Sequence, residues 1–455
     1  MTRDRQRANP FLSGPLAGLF LRTAAPIVAL MAMNGLMTVV DAYFLGAFVG
    51  AEALGAVSLA FPVFMLTVAA SGIVGHGSAS VLARLLGAGR PDEARAAFTN
   101  SHLLALLVAV VLMTGFALGG RAICDALANG RAELANLSWI YLAILIGAAP
   151  FNLMLGLNAD ALRSEGRVST LAAVGLLATI VNVCLNWLLI VELGLGVAGS
   201  ALGTVMAQFI GLVAVLTYRR RRHTTLQLQK PSRAAFARYS GQVLALGLPS
   251  ALNFMGVALT AAVTLHALRI WQPEHYALTV AAYGVVNRLQ AFTILPLLGL
   301  NMATQTIVGN NAGARLWPRV WRSLQVGALI ALAYGLLIEA ALLLARHFVG
   351  RVFIDDEIAA AEVARILPLL FMLFFISGPS MIVAGFFQAV GDARRAALLG
   401  LARNYLFLAP LTYLLAALIG ETGIWLATPA SGLMSVLLAA SMLLAARRRI
   451  NPAKL

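Results

Sequence analysis

The chain has 455 residues, of which 60% are hydrophobic and only 11% charged, and its formal net charge is +15. A water-soluble chain carries about 25% charged residues, so this composition excludes a soluble globular protein. Runs of about 20 apolar residues recur along the whole length, and the positive charge falls in the short loops between them, which excludes nucleic acid as the reason for it.

Twelve spans are expected, at 16–48, 54–85, 95–119, 134–160, 168–191, 196–218, 240–269, 277–308, 320–345, 361–388, 396–418 and 422–446. The basic stretch Arg3, Arg5, Arg7 leads into an apolar run too long for a signal h-region, so that run is read as a spanning helix. Most basic residues fall at one side: Arg22; Arg84, Arg90, Arg95; Arg163, Arg167; Arg219 to Arg222 with Lys230, Arg233, Arg238; Arg315, Arg319, Arg322; Arg394, Arg395; Arg447 to Arg449 and Lys454. The opposite loops hold Arg121, Arg131, Arg269, Arg346 and Arg351, so both termini are expected in the cytoplasm. Cys124 and Cys184 are far apart and suggest neither a disulfide framework nor a metal site. No G-x-x-x-x-G-K-S/T phosphate loop is present, and no extramembrane stretch leaves room for a nucleotide-driven motor.

The first span carries the most informative residue. Asp41 has apolar sequence on both sides, and a carboxylate in hydrocarbon costs roughly 3 kcal/mol or more, so it is expected to face a cavity or a partner. Asn34, Thr38 and Asp41 share one helix face, and Pro26 removes a backbone hydrogen bond four turns earlier, where a hinge is expected. By helical rise, Asp41 lies about 10–12 Å below the outer end of its span. In the fifth span Asn182 and Asn186 share a face near that depth, and in the sixth Ser200, Thr204 and Gln208 do the same. Three helices thus converge on one carboxylate and several neutral oxygens, which suits a proton or a hard cation. Asn, Ser and Thr also serve as interhelical glue, so the set argues more strongly than any member. Asn152 and Asn158 in the fourth span are expected to line a cavity, as are Asn253 and Thr260 in the seventh. His76 is read as a hydrogen-bonded helix residue, Glu339 and Glu362 as peripheral, and Arg365 as snorkelling to the interface.

The run Arg219–His223 and the polar segment after it lie at the midpoint and read as a cytoplasmic linker. The sequence around it repeats: Pro26 matches Pro249, Gly75 and Ala79 match Gly299 and Ala303, and Gly166 matches Gly391, at a near-constant offset of about 224 residues. The expected organisation is a six-helix lobe at 1–223, a linker at 224–238 and a second six-helix lobe at 239–455, with a central cavity between the lobes. Asp41 falls opposite Thr264, so the acid belongs to one half alone. Arg288 and Arg403 lie within spans of the second half, where they suit carbonyls, helix ends or an anionic group of a substrate.

Several stretches together resemble the multidrug and toxic compound extrusion (MATE) family, and its DinF-like and MepA-like branches more than its NorM-like branch. They are VVDAYFLG after Pro26, GAGRPDEARAA, GLNADALRSEGR, NVCLNWLLI with GLGVAGSALGTVMAQ, and in the second half QTIVGNNAG and GFFQAVGDARRA. The resemblance implies a two-lobed antiporter, without an enzymatic site or a cofactor. Such an antiporter exports cationic, amphipathic compounds across the bacterial inner membrane in exchange for H⁺ or Na⁺. It implies a cation site at Asp41, Asn182, Asn186 and Thr204, with Na⁺ held by Asp41, Asn182 and Thr204. It also implies a substrate-facing Asn34 and bending at Pro26; Thr38, Asn152, Asn158 and Gln208 are expected to line the substrate cavity with Asn34. The family's fifth-span motif N-x-x-x-D reads here with Asn186 in last place, leaving one carboxylate. Loss of that charge weakens Na⁺ binding, and the coupling ion is expected to be H⁺. A monomer in contact with membrane lipid is expected. The rival reading is a lipid or lipid-linked oligosaccharide flippase of the same superfamily.

Overall fold

The structure, a computed structural model, describes residues 9–222, 224–353 and 356–450. Arg3, Arg5, Arg7, His223, Asp355 and Lys454 lie outside the described residues. A 3₁₀ turn at Pro10–Leu12 precedes α1 Leu16–Phe48, α2 Ala51–Gly87, α3 Pro91–Leu127, α4 Ala132–Gly147, α5 Ala149–Ser164 and α6 Val168–Asn186. A π-helical segment, Trp187–Glu192, extends α6 and is followed by α7 Gly196–Arg221. Then come α8 Arg233–Trp271, α9 Tyr276–Gly313, α10 Trp317–Phe353, α11 Glu357–Phe371, α12 Phe374–Val390 and α13 Ala393–Leu401. A second π-helical segment, Ala402–Leu408, joins α13 to α14 Ala409–Ile419, and α15 Glu421–Ile450 ends the order. No β-strand occurs among the described residues.

Among the described residues ten helices are each long and apolar enough to cross a membrane, and two bent pairs raise the number to as many as 12. The pairs are α4–α5, bent by 51°, and α11–α12, bent by 45°, so the fourth and tenth expected spans are each broken. They hold the same place in the two sequence halves. Large apolar side chains point outward along these helices, among them Leu118 (85% exposed) and Leu344 (87%), as a lipid-facing surface requires. Backbone hydrogen bonds are then satisfied within each helix, which is what hydrocarbon demands.

The chain divides into two compact units. One comprises Met1–Pro15, Leu21–Ala251 and Gly309–Leu316; the other comprises Leu16–Phe20, Leu252–Val308 and Trp317–Leu455. The first unit therefore takes in the early part of α8 and the last residues of α9. In it, α2 and α8 approach backbone to backbone: a Cβ at Gly77 would sit 2.0 Å from the Val243 carbonyl oxygen, and one at Gly247 would sit 1.8 Å from that of Ile73. Buried ion pairs join Arg163 to Asp160 at 2.6 Å and Arg219 to Glu165 at 2.8 Å. The segment after α7 is pinned as well, because Leu226 N donates to Glu165 Oε1 at 2.7 Å and Gln229 N to Thr99 Oγ1 at 3.0 Å. At the start of α3, outside the apolar span, the Tyr239 hydroxyl donates to Glu93 at 2.7 Å and holds that carboxyl below its usual range.

In the second unit Glu339 of α10 accepts the backbone N–H groups of Leu373 and Phe375, both at 3.1 Å, at the break between α11 and α12. Leu373 takes φ 63° there, a left-handed conformation uncommon for a branched residue. Glu339 thus neutralises the free amides that begin α12, where the sequence suggests only a peripheral acid. Arg365 is likewise not a free snorkelling side chain: it pairs with Glu362 at 2.6 Å and with Glu421, which also accepts from Trp425 Nε1 at 2.8 Å.

The α2–α8 approach yields a direct test. Gly247→Ala forces the two backbones apart and is expected to lower the melting temperature in detergent by about 2–6 °C, the range of overpacking costs. Gly115→Ala, with nothing within 4 Å, is expected to leave it unchanged.

Candidate functional site

Asp41 sits on α1 about two turns from its outer end, half-buried, within a helix that runs through Pro26 without interruption. Its carboxylate accepts a hydrogen bond from Asn186 Nδ2. Asn186 closes α6, immediately before the π-helical segment, and is fully buried together with Asn182 one turn earlier. Asn186 Nδ2 also lies 3.4 Å from Asn182 Oδ1, and Asn182 Nδ2 donates to Thr204 Oγ1 of α7 at 3.3 Å. The sequence-expected quartet Asp41, Asn182, Asn186 and Thr204 is therefore one connected hydrogen-bond chain across three helices.

An apolar cap covers its outer side. Phe44, Leu45, Ala53, Ile190 and Val197 form a buried cluster, with Val40, Val183 and Tyr141 packed against it. Phe44 and Phe48 of α1 meet Trp187 edge-on, at ring distances of 6.5 and 6.1 Å. These contacts hold the end of α1 against the π-helical segment that follows Asn186. Gly203 makes the inner room: a Cβ there would lie 2.5 Å from Asn186 Oδ1. Asn186 Oδ1, on the amide that meets Asp41, is buried without a partner, as is Ser200 Oγ on α7, so acceptor capacity is left over. With one carboxylate, amide oxygens and hydroxyls, the donor set suits a proton or a weakly held hard cation. Among the described residues no group of three or more His, Cys, Asp or Glu is arranged to hold a metal.

Asn34 and Thr38 are exposed on α1, with Thr38 Oγ1 donating to the Asn34 carbonyl at 3.2 Å. Asn152 and Gln208 are half-buried. Asn158 is fully buried, and its amide group meets Met154 O at 2.9 Å, His102 Nε2 at 3.0 Å and Arg219 Nε at 2.9 Å, which ties it to the Arg219–Glu165 pair. In the second unit Thr264, at the repeat position of Asp41, is buried, Arg288 is exposed, and Arg403 is half-buried in the π-helical segment after α13. Gly203 is not among the residues expected from the sequence, and Glu339, expected to be peripheral, caps the break before α12. Gly203 adjoins Thr204 in sequence, and the i, i+4, i+8 spacing that picks out the polar residues has no term for the space they need.

The MatE family model matches residues 26–188 and 231–414 of the chain. The probable multidrug resistance protein YoeA of Bacillus subtilis is 24% identical over 428 residues, covering 90% of this chain and 90% of that protein. The multidrug export protein MepA of Staphylococcus aureus is 23% identical over 423 residues, covering 91% of this chain and 90% of its own length. Among solved structures, an outward-facing multidrug resistance MATE family transporter of the MOP superfamily superposes with a TM-score of 0.87 at 22% identity, over 98% of this chain and 99% of its own. A MOP superfamily transporter from Pyrococcus furiosus gives a TM-score of 0.86 at 22% identity, over 100% of this chain and 99% of its own.

Gly203→Ala is expected to displace Asn186 from Asp41 and to match Asn186→Ala in effect. A hydrogen bond to a charged group contributes about 1.5–3 kcal/mol, so both should cut drug efflux from cells roughly 10-fold or more at equal protein level.

Proposed function

The chain belongs to the MatE family, and from that premise we propose that it is a secondary antiporter. It exports cationic amphipathic compounds across the bacterial inner membrane in exchange for H⁺, with Asp41 as the coupling group. Members of the family are transporters and not enzymes. The Staphylococcus aureus relative is a multidrug export protein and the Bacillus subtilis relative a probable multidrug resistance protein, and the proposal extends multidrug export to this chain. The observation that carries the coupling role is the Asp41–Asn186 bond inside the first compact unit, extended through Asn182 to Thr204.

The reading is supported by how the acids are partnered. Asp160, Glu165 and Glu362 each face an arginine, which holds their charge in place. The Asp41 carboxylate is instead met by a neutral amide, so gaining a proton strands no buried cation. In the proposed cycle Asp41 takes a proton from the periplasmic side, α1 changes its polar contacts and bends at Pro26, and substrate leaves. The proton then departs to the cytoplasm and new substrate is taken up. Each ligand drives a step only by binding one state more tightly than the other. Asn34, Thr38, Asn152 and Gln208 are proposed to meet substrate, and Na⁺ at Asp41, Asn182 and Thr204 is the competing ion. The proposal places both termini in the cytoplasm and has the protein act as a monomer.

Efflux from proteoliposomes under an imposed pH gradient, then under an imposed Na⁺ gradient, tests this reading. The pH gradient is expected to drive transport by the natural protein and to leave Asp41→Asn at least 10-fold slower. Undiminished transport by Asp41→Asn would remove the coupling step, and transport driven by Na⁺ alone would reassign the ion.

A further inference from the structure

The segment before α1 is held on two sides. Asn9 caps the 3₁₀ turn, its Oδ1 accepting from Phe11 N at 3.0 Å, and Phe11 and Leu12 are only 2% and 7% exposed. One side of the turn rests on the α5–α6 connection, where a Cβ at Gly166 would lie 3.0 Å from Pro10 Cγ. The other side comes from far along the chain. Asn9 Nδ2 donates to Asn310 Oδ1 at 2.8 Å, and Asn311 Nδ2 donates to the Phe11 carbonyl at 3.1 Å.

Asn310 and Asn311 end α9, in the second sequence half, yet Gly309–Leu316 belongs to the first compact unit. The joint beside them is tight. A Cβ at Gly87 of α2 would sit 1.9 Å from the Asn310 carbonyl oxygen, and one at Gly313 would sit 2.0 Å from that of Arg84. The inner ends of α2 and α9 thus touch backbone to backbone, and the amino-terminal turn lies across the joint. Its cross-bonds are between neutral amides. Such bonds are directional enough to re-form in one register and weak enough to part within a transport cycle. Arg315, Arg319 and Arg322, just beyond, mark this end as cytoplasmic by the positive-inside rule.

We infer that Asn9, Asn310 and Asn311 are positioning residues for transport: they latch the inner end of α9 to the amino-terminal turn, and the cytoplasmic side opens only when the latch parts. The inference rests on the transport reading above. It assigns a role to the QTIVGNNAG stretch that the Asp41 site leaves unused.

A reversible cross-link tests it in the full-length protein. In a Cys124→Ser/Cys184→Ser background, Asn9→Cys and Asn310→Cys are joined with a short, reducible thiol-to-thiol reagent and assayed in proteoliposomes. The latch predicts efficient cross-linking, at least a 10-fold loss of transport, and recovery on adding reductant, with single-cysteine controls unaffected. A cross-linked protein that transports at the untreated rate would overturn the latch, and so would failure to cross-link. Transport by the Cys124→Ser/Cys184→Ser background protein, with Asn9 and Asn310 intact, is the control on the antiport reading. Its absence would count against that reading, while the cross-linking yield would still report on the latch.

Discussion

A carboxylate sheltered within an apolar helix bundle, and bonded to a neutral amide, is the constraint around which the first compact unit is arranged. Leaving such a group in hydrocarbon costs roughly 3 kcal/mol or more, so the chain has to supply it with partners. A basic partner would fix its charge; an asparagine lets the carboxyl group gain or lose a proton without stranding an unpaired cation. The rest of the local structure serves that pairing. The π-helical segment begins at the residue after Asn186, aromatic contacts of Phe44 and Phe48 with Trp187 seal the outer end, and Gly203 leaves room for the Asn186 amide. A π-helical turn within a longer helix is a frequent mark of a functional site.

The other ionisable groups are managed differently. Arg163 with Asp160, and Arg219 with Glu165, are buried pairs whose removal on one side would leave an uncompensated charge. In the second unit Glu339 caps the start of α12, and the Arg365 pairs with Glu362 and Glu421 join α11 to α15. Within each unit these groups tie neighbouring segments to one another. The two sequence halves share the broken fourth span, but only the first carries an acid at the Asp41 position, where the second has the buried Thr264.

Much of this was legible in the sequence, for identifiable reasons. A helix satisfies its own backbone in hydrocarbon, so the spans follow from apolar runs; α1 matches its expected span, while others run past theirs, as α9 does by reaching Gly313. The convergence of Asn182, Asn186 and Thr204 on Asp41 follows from i, i+4 spacing and a depth estimate, because helical rise is constant. The broken spans are only half visible. Pro150 stands near the start of α5, a usual helix-opening position, but Leu373 is held at its break by Glu339 from another helix, a tertiary effect with no local sign. The π-helical segments leave no mark in composition. Asn158 reads as a cavity residue by its place in a span, yet its neighbours His102 and Arg219 come from distant stretches and draw it into a buried network.

Proton counting on the purified protein tests the coupling role of Asp41 most directly. In weakly buffered detergent solution, adding a cationic substrate should release protons from the natural protein, because substrate and proton favour different states, and should release none from Asp41→Asn. Equal proton release from Asp41→Asn, with substrate binding intact, would contradict that role.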